Sequence, residues 1–166
     1  GQEGRSVFGN ETYFLETALR LRSNDSAERV GAFEVERIVW EAGEGFPNLA
    51  GFRAIVLANL RRLSAEDIER LSSFVRSGGS LLLFSGDQTT AEMLDALRVA
   101  GLLGGKPRPE PVVGRFRATQ WEVGHPALAI FSDPQRGDLR RLEFTKLLPL
   151  EPEAGGKVLL AAGPHA

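Results

Sequence analysis

The chain has 166 residues, of which 42% are hydrophobic, and this is the length of one domain with enough apolar side chain for a single core. Its net charge of -2 gives no electrostatic case for binding nucleic acid or an anionic membrane. There is no cysteine, which excludes disulfides, thiolate metal sites and cysteine nucleophiles, and no apolar run reaches the about 18 residues that a membrane helix needs.

The first third of the chain predicts one helix and one strand. Asn10 can cap a helix that runs to about Arg22. Residues 32–40 begin with apolar and acidic residues in alternation, which predicts a strand near the edge of a sheet. Residues 41–51 are irregular.

The strongest pattern in the sequence is a strand, a helix and a second strand within residues 53–88. Ala54–Ala58 and Ser80–Phe84 are uninterrupted apolar runs, as expected of parallel strands that are buried on both faces. A unit of this kind predicts a right-handed crossover between two neighbouring parallel strands.

Two helices belong to this part of the chain. Ser64 offers an N-cap for the first, with Asp67 as its capping-box partner, and Gly78-Gly79 can end it. Thr89 and Glu92 form a second capping box that opens the next helix. The expected apolar faces are Ile68, Leu71, Phe74 and Val75 in the first helix, and Met93, Leu94, Leu97 and Gly101 in the second.

The rest of the chain predicts strands and turns. Residues 102–111 contain several glycines and prolines and break regular structure. Residues 112–123 predict one strand or a bent pair, and Gly124-His125-Pro126 predicts a turn into a short helix or a loop. Residues 142–150 and 157–162 are the final strand candidates. We therefore expect one compact α/β domain over residues 1–166.

A candidate ligand site follows from the two parallel strands, because ligands of open parallel sheets bind beyond the carboxyl ends of the strands. The next helix would point its free N–H groups at the same crevice. Alternatively, Ser85, Gly86 and Asp87 simply form a tight turn, with Asp87 or Thr89 capping the helix. The candidate ligand-binding residues are Asn59, Ser85, Gly86, Asp87, Gln88 and Thr89.

Ser85 is the most plausible hydrolytic nucleophile, since it lies between a strand and a helix. Its flanking residues do not form the G-x-S-x-G motif. A serine nucleophile also needs a base, and the only histidines are His125 and His165, the latter one residue from the end of the sequence. His125 could instead cap the following helix or face solvent.

Other chemistry has weaker support. Two histidines 40 residues apart and no cysteine predict no metal site, and no motif predicts a cofactor. Trp40 and Trp121 are candidates for a surface that binds a protein partner. A modest basic segment is better explained as a surface with paired charges than as a nucleic-acid site: Arg98, Lys106, Arg108, Arg115 and Arg117.

Several short stretches together resemble a known family. They are Glu11-Thr12-Tyr13-Phe14-Leu15 with Ala18-Leu19, Val56-Leu57-Ala58-Asn59, Leu63-Ser64 through Phe74-Val75, Gly78-Gly79, Gly86-Asp87-Gln88, His125-Pro126 and Gly137-Asp138-Leu139. The chain resembles class I glutamine amidotransferase-like domains, in particular the non-catalytic versions in bacterial membrane proteins with a von Willebrand factor A domain of the BatA type.

This resemblance implies a three-layer flavodoxin-like fold, with a mostly parallel sheet and helices on both faces. Active amidotransferases keep a cysteine at the nucleophile position, where this chain has Ser85-Gly86-Asp87-Gln88, so the glutaminase reaction is not expected. The resemblance further implies a fragment of a longer protein of the bacterial inner membrane.

Two interpretations of function remain. The first is a catalytically silent binding or scaffold domain, which contacts protein partners or other domains and could form a homodimer through an exposed sheet edge. The second is a serine-dependent hydrolase that uses Ser85, Asp87 and His125. A sensor of a small anion at the Thr89 helix start is a further alternative.

Overall fold

The computed structural model describes residues 12–20, 33–40, 44–133 and 137–164. The chain divides into two compact units, an N-terminal unit of residues 1–93 and a C-terminal unit of residues 94–166. The expected single domain over residues 1–166 stays a prediction. Asn10, Arg22 and His165 lie outside the described residues.

The N-terminal unit is built on the crossover that the sequence predicts. Strand β1 (Ala54–Ala58) and strand β2 (Ser80–Phe84) are parallel, with Val56 opposite Leu82. Helix α2 (Ala65–Arg76) connects them, and helix α1 (Tyr13–Arg20) precedes them. The bounds of both strands are those predicted, because each is a short apolar run between turn residues.

Helix α2 begins with the predicted capping box. The Ser64 hydroxyl accepts a hydrogen bond from Asp67 N at 3.0 Å, and Asp67 Oδ2 accepts one from Ser64 N at 3.3 Å. The Asp67 side chain is buried, and its Oδ1 accepts a further hydrogen bond from Phe46 N at 3.0 Å. Arg70 Nη1 donates to the carbonyl oxygen of Phe46 at 2.6 Å. The first turn of α2 therefore fixes the segment that precedes β1.

Helix α2 ends at two glycines, as predicted. Gly78 has φ +98, a left-handed conformation that only glycine adopts without strain. Gly79 leaves room for the ring of Phe74, which a Cβ at residue 79 would strike. Leu71 and Phe74 are both buried, which confirms part of the predicted apolar face.

Two predictions for the N-terminal unit are wrong. Residues 33–40 form no strand, and no described strand pairs with them. Residues with a high β-propensity become a strand only when a neighbouring strand forms backbone hydrogen bonds with them. The two parallel strands are also not buried on both faces. Leu82 and Phe84, on the face that also carries Val56, remain 43% and 49% exposed.

Helix α3 (Ala91–Val99) contains the division between the two units. Its Met93, Leu94 and Leu97 are buried, as predicted. Gly101 was expected on the same helix face, but it lies beyond the helix end, with φ +75 and an exposed backbone. Leu102 N donates to the Leu97 carbonyl across this turn at 2.9 Å, so Gly101 ends the helix.

The C-terminal unit contains two small antiparallel sheets. Strand β4 (Val112–Trp121) is the centre of a three-stranded sheet, between β5 (Glu143–Leu147) and β7 (Leu160–Pro164). Strands β3 (Gly105–Pro107) and β6 (Leu150–Pro152) form the second sheet. The register of β4 shifts between Val113 and Phe116 and again between Ala118 and Gln120, so β4 is a single bent strand.

Predicted boundaries in this unit change in several places, and the expected strand 157–162 lies instead at Leu160–Pro164. The expected irregular segment 102–111 includes β3, and the expected strand 142–150 is divided into β5 and β6 at Leu148-Pro149. Proline has no N–H for the ladder, which explains the break. Two short 3-10 helices, Pro126–Ser132 and Leu139–Arg141, connect β4 to β5.

The described residues therefore form a mixed α/β structure. One strand pair is parallel and three are antiparallel, so the expectation of a mostly parallel sheet is wrong for this part of the chain. In the ranges that the structure describes, no helix combines the length and apolar character needed to cross a membrane.

Candidate functional site

The candidate site lies where the parallel strands β1 and β2 end. Asn59 follows β1 directly and has φ +50, the only positive φ of a non-glycine residue in the described part of the chain. Asparagine tolerates this conformation better than most residues. Asn59 is 7% exposed, and its N–H donates to the Phe84 carbonyl at 2.9 Å. The end of β1 is thus fixed to the end of β2.

The Asn59 side chain extends this connection into the next turn. Its Nδ2 donates a hydrogen bond to Asp87 Oδ1 at 2.7 Å, and its Oδ1 accepts one from Gln88 N at 2.9 Å. One amide group therefore holds both the carboxylate and the backbone of the turn after β2. The sequence pattern predicts Asn59 at this edge, but its left-handed conformation and its two side-chain partners are visible only in the structure.

Gly86 and Thr89 close the same turn. Gly86 N donates to Thr89 Oγ1 at 3.0 Å, and Thr89 N donates to the Gly86 carbonyl at 3.3 Å. A Cβ at residue 86 would strike the Asn59 amide and lie 2.9 Å from Asn59 Cβ. The glycine is required because the Asn59 side chain occupies this space. The structure thus brings together Asn59, Gly86, Asp87, Gln88 and Thr89.

Ser85 lies beside this cluster but does not take part in it. It is exposed, and its hydroxyl makes no hydrogen bond to any residue that the structure describes. Its neighbour Asp87 accepts a hydrogen bond from Asn59 and makes none with Ser85. Within the N-terminal unit, nothing described activates Ser85 as a nucleophile.

The start of helix α3 differs from the prediction by one residue. Thr90, and not Thr89, caps the helix, since Thr90 Oγ1 accepts a hydrogen bond from Met93 N at 3.3 Å.

The pKa of Glu92, in the first turn of α3, is held below its ordinary value by hydrogen bonds, first from the backbone N–H of Glu92 and then from the Thr90 side chain. A carboxylate of the protein already lies at the positive end of the helix.

His125 belongs to the C-terminal unit, where it caps the 3-10 helix that begins at Pro126. Its Nδ1 accepts a hydrogen bond from Ala127 N at 3.2 Å. The helix-capping interpretation of His125 is therefore what the geometry shows. Because Nδ1 is the acceptor, the proton of the neutral ring is on Nε2. A triad histidine has the opposite arrangement, with the proton on Nδ1 and Nε2 free to accept one.

The basic segment consists largely of paired charges. Arg98 contacts Asp95 at 2.7 Å, Arg108 contacts Glu151 at 3.0 Å, and Arg117 contacts Glu143 at 3.2 Å. The hydrogen bond and charge of Asp95 hold the pKa of Arg98 above its ordinary value. No group of three or more metal-ligating residues occurs in the described ranges.

An open groove of about 1060 Å³ lies at the opposite edge of the N-terminal unit, where β1 and β2 begin. Arg53, Ser77 and Ser80 are among its lining residues. It lies at the other end of these strands from the residues with candidate chemistry. No sequence pattern predicts this groove, because the loop before β1 and the end of α2 meet only in the fold.

Comparison with known proteins identifies no relative. No protein-family model, no curated protein and no solved structure matches the chain.

Proposed function

We propose that this chain is a catalytically silent binding or scaffold domain of a larger protein. The observation that carries the proposal is the closed turn after β2. The Asn59 amide bonds Asp87 Oδ1 and Gln88 N, and Gly86 N bonds Thr89 Oγ1, so these groups are directed at one another. Catalytic groups must instead be directed at a substrate, with a nucleophile in hydrogen-bond reach of its base.

The serine hydrolase is the weaker alternative. Ser85 has no described partner in its own unit, and His125 presents the nitrogen that carries a proton. Both features would have to change before a proton could pass from the serine hydroxyl to the imidazole.

The anion sensor is also disfavoured by the helix start. An anion at the start of α3 would lie beside the Glu92 carboxylate, whose pKa is lowered by hydrogen bonds from its own backbone N–H and from the Thr90 side chain. Because like charges repel, a phosphate or sulfate ion would bind only weakly at this helix start.

The resemblance to silent amidotransferase-like domains supports this proposal and extends it. A flavodoxin-like sheet would continue the parallel pair β1–β2, whose Leu82 and Phe84 would then be covered by the helix layer of such a fold. We also propose, from the same resemblance, that the domain is part of a longer bacterial protein of the inner membrane.

Turnover measurements test the proposal. The purified chain is incubated with glutamine and with short acyl esters, and ammonia and alcohol release are followed. We expect the wild type and Ser85→Ala to match the buffer blank with every substrate. The same variant should keep the wild-type melting temperature, because the Ser85 hydroxyl has no described partner.

One result would overturn the proposal. Saturable turnover by the wild type that Ser85→Ala abolishes would establish the hydrolase. His125→Asn is the matched variant, since asparagine keeps a capping acceptor but provides no base. Loss of that turnover in both variants would assign the two roles.

A further inference from the structure

The groove at the amino ends of β1 and β2 combines apolar and polar lining residues within the N-terminal unit. Its volume of about 1060 Å³ is at the upper end of the range for small-molecule sites. Three of its lining residues are large and apolar: Phe74 is buried, and Leu49 and Phe52 are half-buried. The groove therefore offers apolar surface on which the body of a ligand can pack away from water.

The loop that forms one wall of the groove is fixed at both ends. Phe46, just before it, donates from its N–H to Asp67 Oδ1 at 3.0 Å and accepts from Arg70 Nη1 at 2.6 Å. At the other end, the Arg53 carbonyl accepts a hydrogen bond from Ser80 N at 3.0 Å, which joins the start of β1 to the start of β2. A binding surface on a loop held in this way is largely pre-formed, as ligand sites usually are.

Three side-chain donors that line the groove are unpaired. Arg53, Ser73 and Ser80 are exposed, and their side chains form no hydrogen bond or ion pair with any residue that the structure describes. The end of α2 does not need them, because the carbonyl oxygens of Ser73, Phe74 and Val75 already accept hydrogen bonds from backbone N–H groups of residues 77–79. The groove thus presents donors without matching acceptors.

The other charges that line the groove are already paired. Glu69 contacts Arg76 at 2.8 Å, and Arg70 contacts Glu66 at 2.7 Å. Arg53 is therefore the unmatched cation among the described lining residues. A guanidinium group binds a carboxylate through two parallel hydrogen bonds, and the geometry of its fork favours this anion.

We infer that this groove binds a small monocarboxylate with an apolar body. The carboxylate pairs with Arg53, and the apolar body packs on Leu49, Phe52 and Phe74. One carboxylate is specified because a second anionic group would meet Glu69 and find no further unmatched cation among the described lining residues. The groove is separate from the closed turn after β2, so the inference goes beyond the silent-domain proposal and does not depend on it.

Titration with phenylacetate tests the site, and phenylacetamide is the neutral probe of the same shape. Backbone amide NMR signals of the isotope-labelled chain are followed as each probe is added. We expect saturable shifts of phenylacetate-contacting amides in residues 49–53 and 73–80, with a Kd on the order of 1 mM for so small a probe. Phenylacetamide should bind about tenfold or more weaker, because it lacks the charge that Arg53 pairs with.

Arg53→Gln removes the charge from the groove, and Arg62→Gln is the matched control. Arg62 is also an exposed arginine without a described partner, but it does not line the groove. We expect Arg53→Gln to weaken phenylacetate binding about tenfold or more, and Arg62→Gln to leave it within about twofold.

Three results would overturn the inference. They are no saturable shift with phenylacetate up to about 20 mM, well above the expected Kd, equal binding of the two probes, or equal effects of the two substitutions. Each would leave the silent-domain proposal intact, since that proposal fails only on Ser85-dependent turnover.

Discussion

Asn59 and Asp87 connect the ends of two parallel strands, with Asn59 Nδ2 donating a 2.7 Å hydrogen bond to Asp87 Oδ1. The same Asn59 amide accepts from Gln88 N at 2.9 Å, although its own backbone is in the left-handed region at φ +50. A buried residue with a strained backbone and two hydrogen bonds is the internal support of the turn.

Replacing Asn59 tests this support. Asn59→Ala should lower the free energy of unfolding by about 2 kcal/mol or more, because it leaves Gln88 N without its acceptor and keeps a Cβ in the left-handed region. Asn59→Gly should lower the free energy of unfolding by about 1 kcal/mol less than Asn59→Ala does. Glycine relieves the backbone strain, although it also lacks the side chain that makes the two hydrogen bonds. Urea unfolding of both variants gives the difference. Equal losses would show that the backbone at residue 59 stores no strain.

Gly86→Ala should destabilise the same turn from the other side. The new Cβ would strike the Asn59 amide and lie 2.9 Å from Asn59 Cβ, so one of the two side chains must move. We expect a loss of about 1–3 kcal/mol, the usual cost of overpacking. Gly124→Ala is the control, because nothing lies within 4 Å of a Cβ at residue 124 and its φ is not positive. Similar melting temperatures of the two variants would contradict the steric role of Gly86.

Asp67→Ala tests the buried carboxylate at the start of α2. The substitution removes the Asp67 half of the capping box and leaves Ser64 N and Phe46 N without their acceptor, so we expect a loss of about 2–4 kcal/mol. Glu66→Ala, in the same first turn, removes only an exposed 2.7 Å ion pair to Arg70 and should cost about 0.5 kcal/mol or less. Denaturant unfolding compares them. A Glu66→Ala loss as large as that of Asp67→Ala would mean that helix charge, and not the buried contacts, fixes the preceding segment.

Glu92 predicts a pH dependence of stability. Its pKa in the folded chain is lowered by hydrogen bonds from its own backbone N–H and from the Thr90 side chain. A lowered folded pKa stabilises the fold at pH values above the unfolded pKa, and this contribution is lost as pH falls through the folded pKa. The melting temperature of Glu92→Gln should therefore be below that of the wild type near pH 7, with the difference shrinking in acid. A constant difference from pH 7 down to acid would contradict the assignment.

His125→Ala and His125→Asn separate capping from catalysis. Alanine removes the acceptor of Ala127 N and should cost about 1 kcal/mol, whereas asparagine should preserve most of the stability. Thermal unfolding of the two variants measures the difference. If asparagine were no better than alanine, His125 would stabilise the chain by something other than its side-chain acceptor.

Sequence pattern predicted the local parts of the candidate site and missed its internal connections. The end of β1 and the turn after β2 were both placed correctly, since each follows a clear apolar run. The cap of α3 was assigned to Thr89 instead of Thr90, because two adjacent threonines fit the same local pattern. The structure separates their roles, with Thr89 bonded to Gly86 and Thr90 to Met93.

The sequence by itself determined β1, α2 and β2, with the Ser64–Asp67 cap and the Gly78 helix end. Each depends on residues a few positions apart, so its hydrogen bonds and apolar contacts can be inferred from short patterns. Only the tertiary structure decided that β4 pairs antiparallel with both β5 and β7, that residues 33–40 form no strand, and that Asn59 holds Asp87. Those features join residues distant in the sequence, and which partners meet depends on the path of the whole chain.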